Sequence, residues 1–309
     1  MGNRIAVLIP CYNEESTIEI VIQDFQKHLP EASIYVCNNN SSDLTGVVAE
    51  TLGVKVLFEA KQGKGYAVSR LFNSIEADFY VLVDGDDTYP AESARQMISI
   101  LEKSNANMVV GDRLSNCSYK YQNKRKFHNF GNSLMNRLIN TFFKSNIKDI
   151  LSGYRVFDRA FVQNYASFAK GFEIETDLTL FALNYDLEVK EVPIDYRDRP
   201  EGSFSKLNTY SDGIRVIFTF FNLYRLYKPL SFFSIIALFL LVIGCVLGSF
   251  PVYEYIQFRF VYKVPTAILA LGLVIMAALL FCCGLILDLI TNIDRKNMKL
   301  KMKKYAFKF

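Results

Sequence analysis

Asp84, Asp86 and Asp87 close the apolar run Tyr80-Val81-Leu82-Val83, which reads as a strand buried on both faces. Three carboxylates this close repel one another, and the edge of a core is a costly place to keep them charged. Hard divalent cations take oxygen ligands, and Mg²⁺ commonly uses one or two carboxylates together with substrate phosphates. Asp84 and Asp86 are therefore the candidate metal ligands. Gly85 lets the backbone turn between them, and Thr88 offers a further oxygen. The same Asp-x-Asp spacing also suits a plain surface turn. Asp87 is read as the cap of a helix starting near Pro90-Ala91. Gly63-Lys64-Gly65 opens a helix after a strand, where free backbone N–H groups and a lysine suit a phosphate. A turn with a solvated lysine explains the same three residues, and no Walker A pattern is present.

These residues need a frame. Short apolar strands are predicted at 4–9, 34–37, 54–58, 79–83 and 108–110. Helices are predicted at 14–29, with Ile18, Val21, Ile22 and Phe25 on one face, at 45–52, at 65–76 and from Ala91 onward. Strands alternating with helices mean βαβ units and a mostly parallel sheet, whose ligands bind beyond the carboxyl ends of the strands. The polar clusters at 10–15, 38–43 and 84–88 all fall at that end and converge on one site. Past residue 113 the pattern becomes irregular, with a basic, Asn-rich helix at 124–143. Ile214, Ile217, Phe218, Phe221 and Tyr224 then recur at helical spacing among Arg215, Asn222, Arg225 and Lys228. That pattern fits a helix lying on a membrane surface, or an ordinary surface helix packed on the domain.

The chain has 309 residues, 21% of them charged, but the charge is unevenly spread. Leu230 to Phe250 is 21 residues without a charge and Val264 to Leu287 is 24. Each exceeds the roughly 18 to 20 residues needed to cross a hydrocarbon core. The segment after the second stretch carries Arg295, Lys296, Lys299, Lys301, Lys303, Lys304 and Lys308, against only Arg259 and Lys263 in the expected loop at 251–263. The positive-inside rule puts that tail and the N-terminal domain in the cytoplasm of a cytoplasmic (inner) membrane protein. Because the tail abuts a membrane helix, it points to anionic lipid rather than nucleic acid. No signal peptide is expected, since 5–10 is too short for an apolar core. Six cysteines (Cys11, Cys37, Cys117, Cys245, Cys282 and Cys283) show no metal or disulfide spacing, which suits a reducing compartment. Of the two histidines, only His128 lies near the expected site, which excludes a two-histidine metal centre.

Six stretches, "IPCYNEESTI", "VCNNNSSDLT", "QGKGYAV", "VLVDGDD", "DILSGYRVF" and "RPEGSFSKLNTYSDG", resemble in order and spacing the family 2 glycosyltransferases of GT-A fold. More narrowly, the chain is similar to the polyprenyl-phosphate glycosyltransferases, a group including dolichol-phosphate mannosyltransferase and the bacterial undecaprenyl-phosphate glucosyl- and N-acetylglucosaminyltransferases. The resemblance covers roughly residues 4 to 213 by motif. It implies a Rossmann-like α/β catalytic domain (1–208), an amphipathic juxtamembrane helix (209–229), a two-helix transmembrane hairpin (230–290) and a basic tail (291–309). It implies inverting, metal-dependent transfer from a nucleotide sugar, UDP-linked glucose or N-acetylglucosamine, to polyprenyl phosphate. Carried over position by position, Pro10, Tyr12, Asn13 and Glu14 line the base and ribose, with Asn38 beside them. Asp84 and Asp86 hold Mg²⁺ or Mn²⁺, and Lys64 sits near the nucleotide. Arg199, Ser205 and Lys206 close over the phosphates. Arg125 and Ser133 face the lipid phosphate, and Asp149, Glu173 and Glu175 face the sugar and acceptor. Asp149, Asp86 and Lys206 form the implied catalytic set.

One departure concerns the base. Many members carry Asp-Asp-x-Ser where this chain has Asn38-Asn39-Asn40-Ser41, and asparagine offers both donor and acceptor, which weakens any UDP-versus-GDP inference. Processive polysaccharide synthases share the aspartates, but they resemble one another in a Gln-x-x-Arg-Trp motif, and this chain has no tryptophan. A lipid-linked saccharide or protein acceptor, and a non-catalytic scaffold built on the same fold, are the alternatives. The intact acidic pair argues against the scaffold. A homo-oligomer is compatible with the sequence.

Overall fold

The computed structural model describes residues 4–116, 126–167, 169–171, 173–197, 218 and 220–306. They form two compact units, the second of which is Phe220–Lys304. The first is built on seven strands: β1 (Ile5–Cys11), β2 (Ser33–Asn38), β3 (Lys55–Phe58), β4 (Phe79–Leu82), β5 (Met108–Asp112), β6 (Arg155–Asp158) and β7 (Val189–Pro193). Their spatial order is β3-β2-β1-β4-β6-β5-β7. β1 pairs in parallel with β2 and β4, through Val7 opposite Ile34 and Val81. β6 runs antiparallel to both β4 and β5. The sheet is thus mostly parallel, as the alternation of strands and helices requires, with one reversed strand that the sequence pattern did not resolve.

That reversed strand matters for position. Because β6 opposes its neighbours, the segment leading into it arrives at the edge where β4 and β5 end. Leu82 of β4 pairs with Arg155, the first residue of β6, and so does Val110 of β5. The stretch 149–154 therefore lies beside the acidic turn that follows β4.

Helices cover both faces of the sheet. On one, α1 (Ile18–His28) buries Ile18, Val21, Ile22 and Phe25, and α4 (Ser93–Ser104) buries Ala94, Met97, Ile98 and Leu101, against Val7, Ile9, Val81, Val109 and Val156. On the other, α3 (Lys64–Ser74), α6 (Arg159–Asn164) and α7 (Ile174–Asn184) contribute to an aromatic cluster of Phe72, Tyr80, Phe157, Phe161, Tyr165 and Phe181. The Tyr165 hydroxyl inside it donates to buried Asp177 at 2.7 Å. Between β2 and β3 lies α2 (Thr45–Thr51), and α5 (Lys126–Phe143) follows β5.

Three boundaries differ from expectation for local reasons. β1 continues through Pro10 and Cys11, which stay in register with Cys37 and Asn38. α1 begins at Ile18 rather than Glu14, since Asn13 takes a left-handed φ of 53° and a turn on the Glu14 carbonyl precedes the helix. Asp87 does not cap a helix. It has φ 55°, faces Arg197 at 3.7 Å, and sits well before α4, whose N-cap residue is Glu92. A tertiary charge contact decided that position over the local capping rule.

In the second unit, residues 220–227 are helical, followed by α8 (Pro229–Phe258) and α9 (Val264–Ala306). Both long helices overrun the charge-free stretches. α8 passes through Pro251 to Phe258, so the turn is 259–263 rather than 251–263. Glu254 closes it by accepting from the backbone N–H of Tyr262 (3.1 Å) and Lys263 (3.2 Å). The helices pack antiparallel along small residues seven apart, Ala237, Gly244 and Pro251 on α8 and Ala270, Ala277 and Gly284 on α9, all buried. Nearly everything else on them is exposed: Leu238, Phe239, Ile268 and Leu271 are each 62–66% accessible. At 1.5 Å per residue α8 is about 45 Å long, more than a hydrocarbon core needs. Exposed apolar surface on this scale is covered by lipid.

Close helix approach yields a prediction. A Cβ on Gly244 would fall 3.0 Å from Val274 Cγ2 and 3.2 Å from the Ala270 carbonyl, whereas one on Gly272 meets nothing within 4 Å. Gly244→Leu should lower stability by about 1–3 kcal/mol in thermal unfolding of the detergent-solubilised chain. Gly272→Leu, with the same gain in helix propensity, should leave it unchanged or higher.

Candidate active site

The three polar clusters meet at the carboxyl edge of β1, β2 and β4. Pro10 and Tyr12 are half-buried at the end of β1. The Asn13 amide N–H donates to Ser41 Oγ at 3.1 Å, and Asn13 Oδ1 accepts from the Ser42 N–H at 2.8 Å. The buried Glu14 N–H donates to Thr45 Oγ1 at 2.9 Å, which ties the first cluster to the second. Thr17 Oγ1 donates to the Gly85 carbonyl at 2.7 Å, tying the first to the third. Asn38 Oδ1 accepts from the Ser41 N–H at 2.9 Å and shapes the loop.

Asn39 has a different task from its neighbours. Buried, it donates from Nδ2 to the carbonyls of Glu59 (3.2 Å) and Lys61 (2.7 Å) and accepts from the Gly63 N–H at 2.7 Å. It thereby fixes the loop that delivers Lys64. Gly63 has φ 142°, where a side chain is strained, and side chains at Gly63 or Gly65 would collide with the backbone at Lys170 and Ala169. The two glycines thus have a packing reason, and the reading of Lys64 as a solvated turn residue does not hold.

Lys64 is instead buried between two carboxylates. Its Nζ lies 2.5 Å from Asp84 Oδ1 and 2.5 Å from Glu175 Oε1, with the three side chains only 12%, 25% and 8% exposed. Burial alone would push the lysine pKa down, but the charges of Asp84 and Glu175 outweigh it and hold the ammonium above its ordinary value. Lys64 hydrogen-bonds Glu175 and pairs with Asp84 at the same distance. Among the described residues, the buried Asp84 Oδ1 is met by that ammonium and by no other hydrogen-bonding group. Asp86 is 4% exposed and accepts from Thr88 Oγ1 at 2.7 Å, so the Thr88 hydroxyl orients the Asp86 carboxylate.

This donor set fits a hard divalent cation in one particular way. A carboxylate oxygen held by one ammonium, two residues before a buried carboxylate, offers what Mg²⁺ or Mn²⁺ takes once the ammonium yields. No group of three or more His, Cys, Asp or Glu able to hold a metal occurs among the described residues. Asp84 and Asp86 would hold such a cation only in part, leaving positions for phosphate and water oxygens.

A second charged cluster lies alongside. Arg113, just past β5, donates to Asp149 through its backbone N–H (3.0 Å), Nε (2.8 Å) and Nη2 (2.8 Å), with both side chains buried. Asp149 is reinforced through its own N–H, which donates to Glu191 at 3.0 Å. Tyr89 joins the two clusters: its hydroxyl accepts from Arg113 Nη1 (3.3 Å) and from the Gly153 N–H (3.0 Å). Burial raises the Tyr89 pKa, keeping the hydroxyl protonated. Arg155 is fully buried and donates to the carbonyls of Ser152 (2.9 Å) and Ile150 (2.5 Å) and to Thr179 Oγ1 (2.9 Å). Burial lowers its pKa to about 10, so it stays charged at neutral pH and pins the 150–154 loop to α7.

Of the expected residues, Asp84, Lys64 and Glu175 are thus gathered in one cluster with its Gly153 wall, Asp86 lies two residues on in the same turn, where it is held by Thr88, and Asp149 belongs to the neighbouring cluster. Glu173 lies apart, accepting from the Lys170 N–H at 2.9 Å. Ser133 is exposed on α5. Arg125, Arg199, Ser205 and Lys206 lie outside the described residues. Sequence reasoning missed Arg113, Tyr89 and Arg155. Arg113 alone carried a signal, as a charged residue directly after a buried strand.

Residues 6–166 match the family described as Glycosyl transferase family 2. The chain belongs to that family, and it is a glycosyltransferase. It is 28% identical to "Glycosyltransferase AglJ" of Haloferax volcanii over 96% of this chain and 97% of the relative. It is 25% identical to "Dolichyl-phosphate hexose transferase" of the same organism, over 69% of this chain and 90% of the relative. Glucosyl-3-phosphoglycerate synthase of Mycobacterium tuberculosis, solved with Mn²⁺ and UDP-glucose, shares the fold with a TM-score of 0.56 at 19% identity, covering 72% of this chain and 79% of its own. The fold is thus that of the GT-A glycosyltransferases.

The contact between Gly153 and Asp84 is open to test. A Cβ on Gly153 would fall 2.5 Å from Asp84 Oδ2 and 3.0 Å from its Cγ. Gly153→Ala should displace the carboxylate and cut kcat by roughly 100-fold, while the unfolding midpoint changes little.

Proposed function

We propose that the chain transfers a sugar from a nucleotide sugar to a polyprenyl phosphate at the membrane surface, with inversion at the anomeric carbon. The observation that carries this reading is the Asp84–Asp86 acidic turn, with Asp86 buried and Asp84 held by the Lys64 ammonium, in a family 2 domain followed by two helices long and apolar enough to cross a membrane. The relatives named for dolichyl- and undecaprenyl-phosphate sugar transfer support the acceptor class. The donor is UDP-linked glucose or N-acetylglucosamine, and the catalytic domain faces the cytoplasm with the basic tail.

Pro10, Tyr12, Asn13, Glu14 and Asn38 receive the base and ribose, at the edge where their loops are tied together. Mg²⁺ or Mn²⁺, held by Asp84 and Asp86, would offset the charge that develops on the departing diphosphate. Arg199, Ser205 and Lys206 close over the same phosphates. Arg125 and Ser133 receive the acceptor phosphate, with Glu173 and Glu175 toward the sugar. The attacking group is a phosphate oxygen whose second pKa is about 6, so at neutral pH it is already ionised and needs no strong base. Asp149, with both oxygens accepting from Arg113, acts by positioning rather than by taking a proton.

The full-length chain in lipid nanodiscs should be offered UDP- and GDP-sugars with undecaprenyl or dolichyl phosphate, and the products read by mass. The expected product is a polyprenyl-phosphate monosaccharide, lost in Asp84→Ala and Asp86→Ala. A product carrying the sugar on a lipid-linked saccharide or on protein, with none on the lipid phosphate, would overturn the acceptor assignment.

A further inference from the structure

Lys64 stands where a second cation is unwelcome. Its ammonium lies 2.5 Å from Asp84 Oδ1, a buried carboxylate oxygen with no other partner among the described residues. Glu175 holds it from the opposite side, also at 2.5 Å. All three side chains are largely shielded from water, so salt and solvent screen their charges poorly. The lysine backbone is itself fixed. Gly63 is tied to Asn39, and Gly63 and Gly65 sit against the backbone at 169–170. Only the side chain can swing, and Glu175 remains to receive it.

We infer that Lys64 is a resident counter-ion that makes the divalent-cation site conditional on the nucleotide diphosphate. The inference rests on the reading of Asp84 as a metal ligand and deepens it. A divalent cation arriving alone at Asp84 meets an ammonium already paired with that oxygen, and must bind against like-charge repulsion or displace it. A diphosphate arriving with the cation adds negative charge to the cluster and reverses the balance. The ammonium is retained by Glu175, and Asp84 is released to the metal. Cation and nucleotide therefore bind cooperatively, and by linkage each raises the other's affinity by the same factor. Such a site stays empty of metal until its donor is present. It also couples the acidic turn after β4 to α7, the helix that carries Glu175, through one side chain.

The test is Mn²⁺ binding to the full-length chain in detergent, followed by electron paramagnetic resonance of free Mn²⁺, alone and with saturating UDP or GDP. In the native chain the nucleotide should tighten Mn²⁺ at least tenfold. Lys64→Met should tighten Mn²⁺ alone at least tenfold and shrink the nucleotide's effect by the same factor. Glu175→Gln keeps the lysine but removes its second anchor, so it should weaken Mn²⁺ alone. These opposite signs separate the inference from general loosening of the fold, and they stand on Glu175→Gln if the Met variant does not fold. Unchanged Mn²⁺ affinity and an intact nucleotide effect in Lys64→Met, or tightening in Glu175→Gln, would overturn the role of Lys64 alone. Undiminished Mn²⁺ binding in Asp84→Asn with nucleotide present would overturn the metal reading, and the inference with it.

Discussion

The Lys64 ammonium, shared between Asp84 and Glu175, joins three parts of the chain that local structure alone would leave apart: the start of α3, the turn after β4 and the first turn of α7. Two carboxylates at the edge of a core would repel each other without it. Removing one partner from a buried ion pair costs about 3–5 kcal/mol, because the remaining charge keeps its desolvation penalty. The surrounding residues are arranged to serve that contact. Asn39 fixes the loop before Lys64, the glycines allow close backbone approach, and Arg155 ties the 150–154 loop to α7. The antiparallel β6 then presents Gly153 against Asp84. The sheet edge is a set of opposed charges, each needing the others, into which a cation and a diphosphate can enter.

Much of this was legible in the residues, and what was not has a common cause. Asp84 and Asp86 stood out because a strand buried on both faces makes a following acidic pair conspicuous. The convergence of 10–15, 38–43 and 84–88 followed from parallel strands ending at one edge. Lys64 was visible as a candidate, but Glu175 is 111 residues away, and no local rule joins them. Arg155 carried no signal of its own in "DILSGYRVF", and its buried guanidinium is explained by carbonyls of a loop that β6 brings back. Asp87 was misread because Asp ahead of Pro90 fits a helix start, whereas Arg197 gives it a tertiary partner. In the hairpin, the expected loop began where the first span length ended, whereas the helix runs on through Pro251 to Phe258. Periodicity and polarity reveal elements and edges, while pairings distant in sequence emerge only from topology.

The two long helices bear on the acceptor. Their small-residue seam brings the backbones close, and their remaining surface is apolar and exposed, so they commit the chain to a bilayer. A family 2 domain carried on such a hairpin suits a substrate that cannot leave the membrane, since the lipid tail stays in the bilayer while its phosphate reaches the surface. The polyprenyl phosphate reading is therefore economical in physical terms: acceptor and enzyme share one phase.

The central claim is that Asp84 and Asp86 hold a cation against the donor's diphosphate. It is tested most directly by ³¹P magnetic resonance of the bound nucleoside diphosphate, with Mn²⁺ as a paramagnetic probe on the full-length chain. In the native chain Mn²⁺ should strongly broaden both phosphorus resonances of the bound nucleotide, and this bound-state broadening should disappear in the Asp84→Asn, Asp86→Asn double variant. Equal broadening in the variant, or sharp bound resonances in the native chain, would contradict it.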